Sequence, residues 1–328
     1  MAVHSRVYGT GMYVPDEVIT NQDLARIVDT SDEWIVTRTG MRERRRAHGD
    51  QAASDLAIPA ALAALDEAGI TARDLDMIIV ATVTPDTLFP STACLMQERL
   101  GARSIPAFDV SAGCTGAIYA ISLAHQLLSL GTYRHILVVG VEMLTRITNW
   151  SDRSTCVLFG DAAGAIVLGP SDDGVHGLLG FHLASDGGRG HTLHMPAGGS
   201  RMPATRDTVD RNLHTLHMRG NEIYKTAVTT MYDSCKILLD HEKLSPQDVD
   251  VYVFHQANLR IIEAVGKRLG VSSDKVFVNI HKYGNTSSAS TLLAIHEARR
   301  EGAIKPGSLV LQVAFGAGLT WGGILWRW

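Results

Sequence analysis

No two of the four cysteines, Cys94, Cys114, Cys156 and Cys235, stand in a Cys-x-x-Cys pair, and their scatter provides neither a disulfide framework nor a zinc ribbon. Long apolar runs are missing as well: no stretch reaches the roughly 18 residues of a membrane-crossing helix. Met1 to Pro15 has neither the basic start nor the continuous apolar segment of a secretory leader. The expected compartment is therefore the reducing cytoplasm, with no membrane association. An excess of charge of one sign is also lacking, since 30 Lys and Arg against 34 Asp and Glu give a formal net charge of -4. That balance argues against a general affinity for nucleic acid, although a local basic patch can still serve one acidic partner. Neither a Gly-x-Ser-x-Gly elbow nor a P-loop occurs.

What is present is a chain of 328 residues with 45% hydrophobic content, enough for one large domain or two ordinary ones. Strand-like and helix-like segments alternate, which predicts α/β layers around buried sheet. Val7-Tyr8-Gly9-Thr10-Gly11 reads as a strand entering a turn. The order of parts then repeats. In the first half Met77 to Val83 is a strand, Ile105 to Val110 is a strand leading to Cys114 and a helix, and His135 to Gly140 and Ala163 to Gly169 are further strands. In the second half the corresponding parts are Val249 to Phe254, Lys275 to Ile280 with Gly284-Asn285-Thr286 and a helix, Ser308 to Val313, and Gly322 to Trp326. Two similar halves are predicted, 1–172 and 173–328, matched in element order rather than in residue identity.

Cys114 stands where Ile105 to Val110 breaks into Ser111-Ala112-Gly113 and a helical pattern opens, with Ile118, Ile121, Ala124 and Leu128 at helical spacing and Gly131 as a stop. A lone cysteine is ordinarily a small buried hydrophobe. At a helix mouth, however, the dipole and free N–H groups favour the thiolate nucleophile by about 0.3–2 kcal/mol. If a pseudo-two-fold axis relates the halves, Asn285 occupies the equivalent junction and faces it. His255 immediately follows the strand Val251-Tyr252-Val253-Phe254, the place where open α/β sheets put site residues. A thiol, an imidazole and a carboxamide together suit acyl transfer through a thioester. Phe315-Gly316-Ala317-Gly318-Leu319 is a small-residue loop that can bring backbone donors to an oxyanion. It is no dinucleotide fingerprint, because only Thr320 to Trp328 follow it and a βαβ unit has no room.

Ser111-Ala-Gly-Cys-Thr-Gly116, His255-Gln-Ala-Asn258, Tyr283-Gly-Asn-Thr-Ser287 and Phe315-Gly-Ala-Gly-Leu-Thr-Trp321 resemble, in order, the motifs of β-ketoacyl-acyl-carrier-protein synthase III in the thiolase-fold superfamily. Phe159-Gly160-Asp161 and Ser31 to Gly40 extend the resemblance over nearly the whole chain. It implies a thiolase-like fold of two duplicated halves layered α-β-α-β-α. It also implies an acyl-CoA primer loaded on Cys114, and malonyl-acyl-carrier-protein decarboxylated with His255 and Asn285 stabilising the enolate. The backbone N–H groups of Cys114 and of the Gly316 to Gly318 loop would hold the oxyanion. Trp34, Arg38 and Arg153 are expected to bind the CoA nucleotide, and Asn258 with a Gly220-Asn221 turn to line the pantetheine channel. Phe89 would cross a homodimer interface to shape the acyl pocket. Two positions depart from the pattern: Ala317 stands where glycine is usual, and Arg219 where a small residue is.

Arg260, Lys267 and Arg268, at i, i+7 and i+8, share a helix face, which beside His255 is expected to dock acidic carrier protein. No tightly bound cofactor and no metal is expected. His191-Thr-Leu-His194-Met and His214-Thr-Leu-His217-Met repeat a string, but strand residues three apart point to opposite faces and would not chelate. Two alternatives remain open here: the same fold condensing another acyl chain or transferring it in a specialised, polyketide-like pathway, and a non-catalytic acyl-CoA-binding protein. A biosynthetic thiolase would want a second cysteine near the C-terminus, and the last here is Cys235.

Overall fold

A computed structural model describes residues 5–171 and 173–328; the expected division between the halves, at residue 172, lies outside them. Two large sheets carry the molecule. Their strands are β1 (Ser5–Tyr13), β2 (Met77–Ala81), β3 (Ala107–Val110), β4 (Ile136–Met143), β5 (Asp161–Pro170), β6 (Gly177–Ser185), β7 (Val251–Phe254), β8 (Leu309–Gly316) and β9 (Thr320–Arg327). The first sheet runs β1-β5-β4-β2-β3, with β2 parallel to both neighbours and β5 antiparallel to both of its own, β1 and β4. The second runs β6-β9-β8-β7 and repeats those directions: β7 and β8 parallel, β9 antiparallel to both of its partners. β2, β4 and β7 are buried along their whole length, as strands covered on both faces must be, which is why they read as continuous apolar runs.

Helices fill three layers. α2 (Ala53–Ala68) covers the outer face of the first sheet, α3 (Gly116–Ser129) and α6 (Ser290–Arg300) lie between the sheets, and α4 (Gly220–His241) with α5 (Leu259–Leu269) covers the second sheet. Ala117, Ile121 and Ala124 of α3 and Ala294, Ile295 and Ala298 of α6 share one core with β2, β4, β7 and β8. A peripheral helix, α1 (Asp32–Thr39), starts on the Ser31 side chain, which accepts from the Trp34 N–H, and stops at Gly40 with φ of 77°. Among the described residues no helix is long and apolar enough to cross a membrane.

Two expectations are corrected. The first concerns Val7 to Gly11, which forms the middle of β1 rather than a strand entering a turn. Gly9 and Gly11 are required by packing there: a Cβ on either would overlap backbone carbonyls of α2, at Ala64 and Ala60 respectively. The second concerns Lys275 to Ile280, which adds no ladder strand. Only one bridge, Tyr252 to Val276, ties it to β7. The Gln256 side chain takes over instead, accepting from the Asn279 and Ile280 N–H groups (3.0 and 3.1 Å) and donating to the Phe254 carbonyl (2.8 Å). The segment still occupies the position that β3 holds in the first sheet.

Gly11→Val is expected to destabilise the fold by about 3 kcal/mol or more in chemical denaturation, through overpacking against α2. Gly49→Ala, at a site with nothing within 4 Å, should shift the midpoint by no more than about 0.5 kcal/mol.

Candidate active site

Cys114 lies in a single 3-10 turn, Gly113–Thr115, between β3 and α3. Gly113 has φ of 54°, and a Cβ there would come within 2.7 Å of the Ala317 nitrogen; a Cβ on Gly316 would overlap the Cys114 nitrogen. The two main chains therefore touch directly, and only glycine at both positions permits it. Phe315 to Leu319 is the tip of the β8–β9 hairpin, with Gly316 opposite Thr320. The Thr320 hydroxyl donates to the Ala112 carbonyl (2.8 Å), and the Thr115 hydroxyl donates to the Thr320 carbonyl (3.1 Å), clamping the tip onto the cysteine turn. The backbone N–H groups of Cys114 and Ala317 both reach the sulfur. Ala317 is absent from the described non-glycine residues with positive φ, so the alanine keeps its donor in place.

Cys114 is half-buried where it lines the cavity, and its surroundings oppose the thiolate that its place at a helix mouth suggested. Burial pushes it from an ordinary 9.0 up to about 12, and the charge of Glu142 pushes the same way, while hydrogen bonds from Ser287 and the two N–H groups pull it back. A displacement of that size is on the order of 4 kcal/mol, which outweighs the roughly 0.3–2 kcal/mol available from a helix terminus. Desolvation wins.

His255 follows β7 directly, 2% exposed, with its N–H on the Val313 carbonyl (2.8 Å). Burial lowers its pKa to about 3, so the ring is neutral at pH 7. Its Nδ1 lies 2.6 Å from the Ser290 hydroxyl oxygen, which accepts from the Gln256 N–H at 3.4 Å. With the hydroxyl donating to Nδ1, the ring proton sits on Nε2. Asn285 is held by the first half: its N–H donates to the Leu158 carbonyl (2.8 Å) and its carbonyl accepts from Gly160 (3.0 Å). Its side-chain Oδ1 accepts from the Ser287 N–H at 2.9 Å, which leaves the Nδ2 donors for the cavity.

Cys114, His255 and Asn285 line one cavity of about 330 Å³, together with Trp34, Arg38, Gly220, Asn221, Asn258, Arg260, Phe315 and Gly316. Ala317, Gly318, Phe89, Arg153, Lys267 and Arg268 are not among its lining residues, though the Ala317 N–H acts on Cys114, which is. Arg38 and Arg153 both place their guanidinium carbons over the Trp34 ring, at 4.9 and 5.2 Å from its centroid; Arg153 also donates to the Asp29 carbonyl (2.7 Å). Gly220-Asn221 is the first turn of α4, not a free turn. The Asn258 side chain caps α5 through the Arg260 N–H (2.9 Å) and donates to the Arg38 carbonyl (3.1 Å), joining α1 to α5 at the rim. Arg219 is exposed, is not among the cavity's lining residues and lies 3.5 Å from Glu222. Arg260, Lys267 and Arg268 are all exposed on α5, with Arg268 stacked 4.0 Å over Tyr232. Phe89 projects fully, at 86% exposure.

The repeated histidine strings pair with each other rather than within themselves. His194 lies opposite His217 in a two-residue ladder, rings 6.0 Å apart, while His191 falls in a 3-10 turn and His214 bonds the Thr208 hydroxyl at 2.9 Å. Among the described residues no group of three or more His, Cys, Asp or Glu side chains is arranged to hold a metal.

Sequence reasoning missed Glu142, Ser287 and Ser290. The available signals were a lone carboxylate inside the apolar strand Ile-Leu-Val-Val-Gly-Val-Glu-Met and the Ser-Ser-Ala-Ser run after Asn285-Thr286.

The chain matches the family described as 3-oxoacyl-[acyl-carrier-protein (ACP)] synthase III over residues 108–187 and that family's C-terminal part over residues 239–328. It is 54% identical to the β-ketoacyl-[acyl-carrier-protein] synthase III of Caldanaerobacter subterraneus subsp. tengcongensis, with 98% of this chain and 97% of that protein aligned. The crystal structure of 3-oxoacyl-[acyl-carrier-protein] synthase III from Aquifex aeolicus superposes with a TM-score of 0.92 at 44% identity, covering 99% of this chain and 100% of that one. The priming β-ketosynthase of the R1128 polyketide biosynthetic pathway superposes with a TM-score of 0.91 at 36% identity, over 98% and 96% of the two chains.

Because burial raises the Cys114 thiol, its neutral form dominates at pH 7 and the thiolate grows only as pH rises. Iodoacetamide alkylation of Cys114, followed by mass spectrometry, should climb steadily with pH to at least 10 without a plateau near neutrality. A plateau below pH 8 would contradict the burial argument.

Proposed function

The chain belongs to the β-ketoacyl-[acyl-carrier-protein] synthase III family, and on that premise we propose that it condenses a short acyl-CoA primer with malonyl-acyl-carrier-protein through an acyl-Cys114 thioester, giving 3-ketoacyl-carrier-protein and initiating fatty-acid synthesis. The observation that carries this reading is the convergence of Cys114, His255 and Asn285 on one cavity, with two backbone N–H groups at the sulfur.

In the first half-reaction the Cys114 sulfur attacks the thioester carbonyl, and the N–H groups of Cys114 and Ala317 receive the oxyanion, each such donor being worth about 2.7–4 kcal/mol. CoA leaves as thiolate and takes a proton. In the second, malonyl-carrier-protein occupies the cavity. His255 Nε2–H and Asn285 Nδ2–H donate to its thioester oxygen, on which negative charge accumulates as CO2 departs. The carbon nucleophile then attacks the acyl-Cys114 carbonyl, and the displaced sulfur is reprotonated. A neutral imidazole donor and a carboxamide are suited to holding an enolate oxygen; with its pKa lowered to about 3 the imidazole is a poor base, and the carboxamide is none. This favours decarboxylation over the proton abstraction a thiolase needs, and the last cysteine, Cys235, is buried in α4, away from the cavity.

Trp34, Arg38 and Arg153 at the mouth are the binding surface for the CoA nucleotide, and Gly220, Asn221 and Asn258 border the pantetheine path. The exposed face of Arg260, Lys267 and Arg268 docks the acidic carrier protein. Phe89 shapes the acyl pocket across a homodimer interface. The enzyme works in the cytoplasm without a tightly bound cofactor. The likeness to the R1128 priming ketosynthase supports a second reading, in which the same chemistry primes a specialised pathway with another acyl chain.

Intact-mass measurement after exposure to a panel of acyl-CoAs should show one acyl group per chain, absent in Cys114→Ala, and the preferred chain separates the two readings. Label persisting in that variant would remove Cys114 as nucleophile. Asn285→Ala and His255→Ala are each expected to lower malonyl-carrier-protein decarboxylation by about 10²–10³-fold while Cys114 still acylates. Charge reversal at Lys267 and Arg268 should weaken carrier-protein turnover and leave self-acylation intact; equal loss of both would exclude that face.

A further inference from the structure

Glu142 is the one carboxylate of β4, fully buried in an otherwise apolar strand. Its two oxygens face different parts of the molecule. Oε2 accepts from the Val83 N–H (3.2 Å) and the Thr84 hydroxyl (2.9 Å), both just beyond β2. Oε1 lies 3.1 Å from the Ser287 hydroxyl, whose one proton is shared between this carboxylate and the Cys114 sulfur, and 2.9 Å from the Ser288 hydroxyl, which also faces the Ala81 carbonyl at 2.9 Å; both serines lie in the turn that carries Asn285. The carboxylate thus joins the nucleophile half to the Asn285 turn. Ser287 needs such an anchor, because its φ of 48° is a left-handed conformation that a serine adopts at a cost. In that conformation its N–H donates to Asn285 Oδ1, which turns the amide nitrogen toward the cavity.

We propose that Glu142 is a positioning residue for the decarboxylation step: across the interface between the halves it fixes Ser287, and through Ser287 it orients the Asn285 carboxamide toward the malonyl thioester oxygen. The assignment rests on the proposed roles of Asn285 and Cys114. The same burial also has a consequence for stability. Burial raises Glu142 to about 7, so between its unfolded value near 4.5 and pH 7 the folded state holds the proton more tightly. Stability is therefore lost as pH rises through that window, and at pH 8 the buried ion is a liability to the fold.

The decisive measurement uses full-length protein whose Cys114 has first been alkylated with iodoacetamide, so that the thiol is in one state throughout, and follows malonyl-carrier-protein decarboxylation. Glu142→Ala is expected to lower kcat at least about tenfold with KM within about threefold, without slowing the preceding alkylation, since the lost carboxylate had been raising the thiol. Glu142→Gln, which keeps one acceptor toward Ser287 while turning its NH2 onto the Val83 N–H, should melt lower than wild type yet recover most of that kcat. Parallel loss of alkylation and decarboxylation in Glu142→Ala, wild-type decarboxylation in that variant, or a Gln variant that loses stability and kcat together would each overturn the assignment. If Glu142→Ala does not fold, Ser287→Ala breaks the same link while leaving Val83, Thr84 and Ser288 on the carboxylate. It should show the same fall in decarboxylation, and a wild-type rate there would equally end the proposal. Asn285→Ala separates the two levels: an undiminished rate means the function assigned to Asn285 is wrong, whereas loss there with a normal Glu142→Ala means only Glu142 is misassigned.

Discussion

The contact on which the rest depends is the approach of two main chains, Gly113-Cys114 from one half and Gly316-Ala317 from the other, with no side chain between them. It places two N–H groups at one sulfur, and it can exist only if both sheets stand at a set separation. The helices between the sheets provide that separation. α3 and α6 turn small residues, Ala117, Ala120, Ala124, Ala294 and Ala298, all buried, into one core with strands of both sheets, and close packing there leaves little room for the layers to shift. The Asn285 turn is then tied to the first half by its own backbone, bonded to Leu158 and Gly160.

Burial at that contact sets the chemistry. Ionisable groups at the centre move toward their neutral forms: Cys114 and Glu142 upward, His255 downward, each chiefly because charge is disfavoured away from water. The site at rest therefore holds oriented neutral donors. Charge appears only when substrate brings it, on the oxyanion and on the enolate oxygen, where fixed donors in a dry cavity act most strongly. Burying these polar groups would be costly if they lacked partners. Ser290 serves His255, Ser287 serves Asn285, and Gln256 replaces a missing strand edge, so the serine-rich start of α6 is the supporting layer of the site.

The rim follows a different rule. Trp34, Arg38 and Arg153 are stacked at the mouth, and Asn258 links the end of α1 to the start of α5. Flat and cationic surface thus stands at the opening, while the wall beneath it is apolar, with Ile223, Met231 and Phe315.

Residue types, spacing and order were enough to read the duplicated α/β plan, because a buried strand is a continuous apolar run and strand ends are where α/β proteins put their chemistry. Cys114, His255 and Asn285 were legible for that reason. The turn expected at Gly9 and Gly11 was not legible as strand, since those glycines answer to a helix more than forty residues away. Nor was the loss of the Lys275 to Ile280 strand, which depends on where one glutamine side chain folds back. The protonation states were beyond reach altogether: the helix mouth that pointed to a thiolate is real, but its effect is local, while the desolvation that overrides it is the summed work of residues from both halves. The sequence by itself determined which groups are available and at which element ends. Only the tertiary structure decided their charge, their orientation and the enlistment of Glu142, because burial and distance are properties of the packed chain and not of any segment in it.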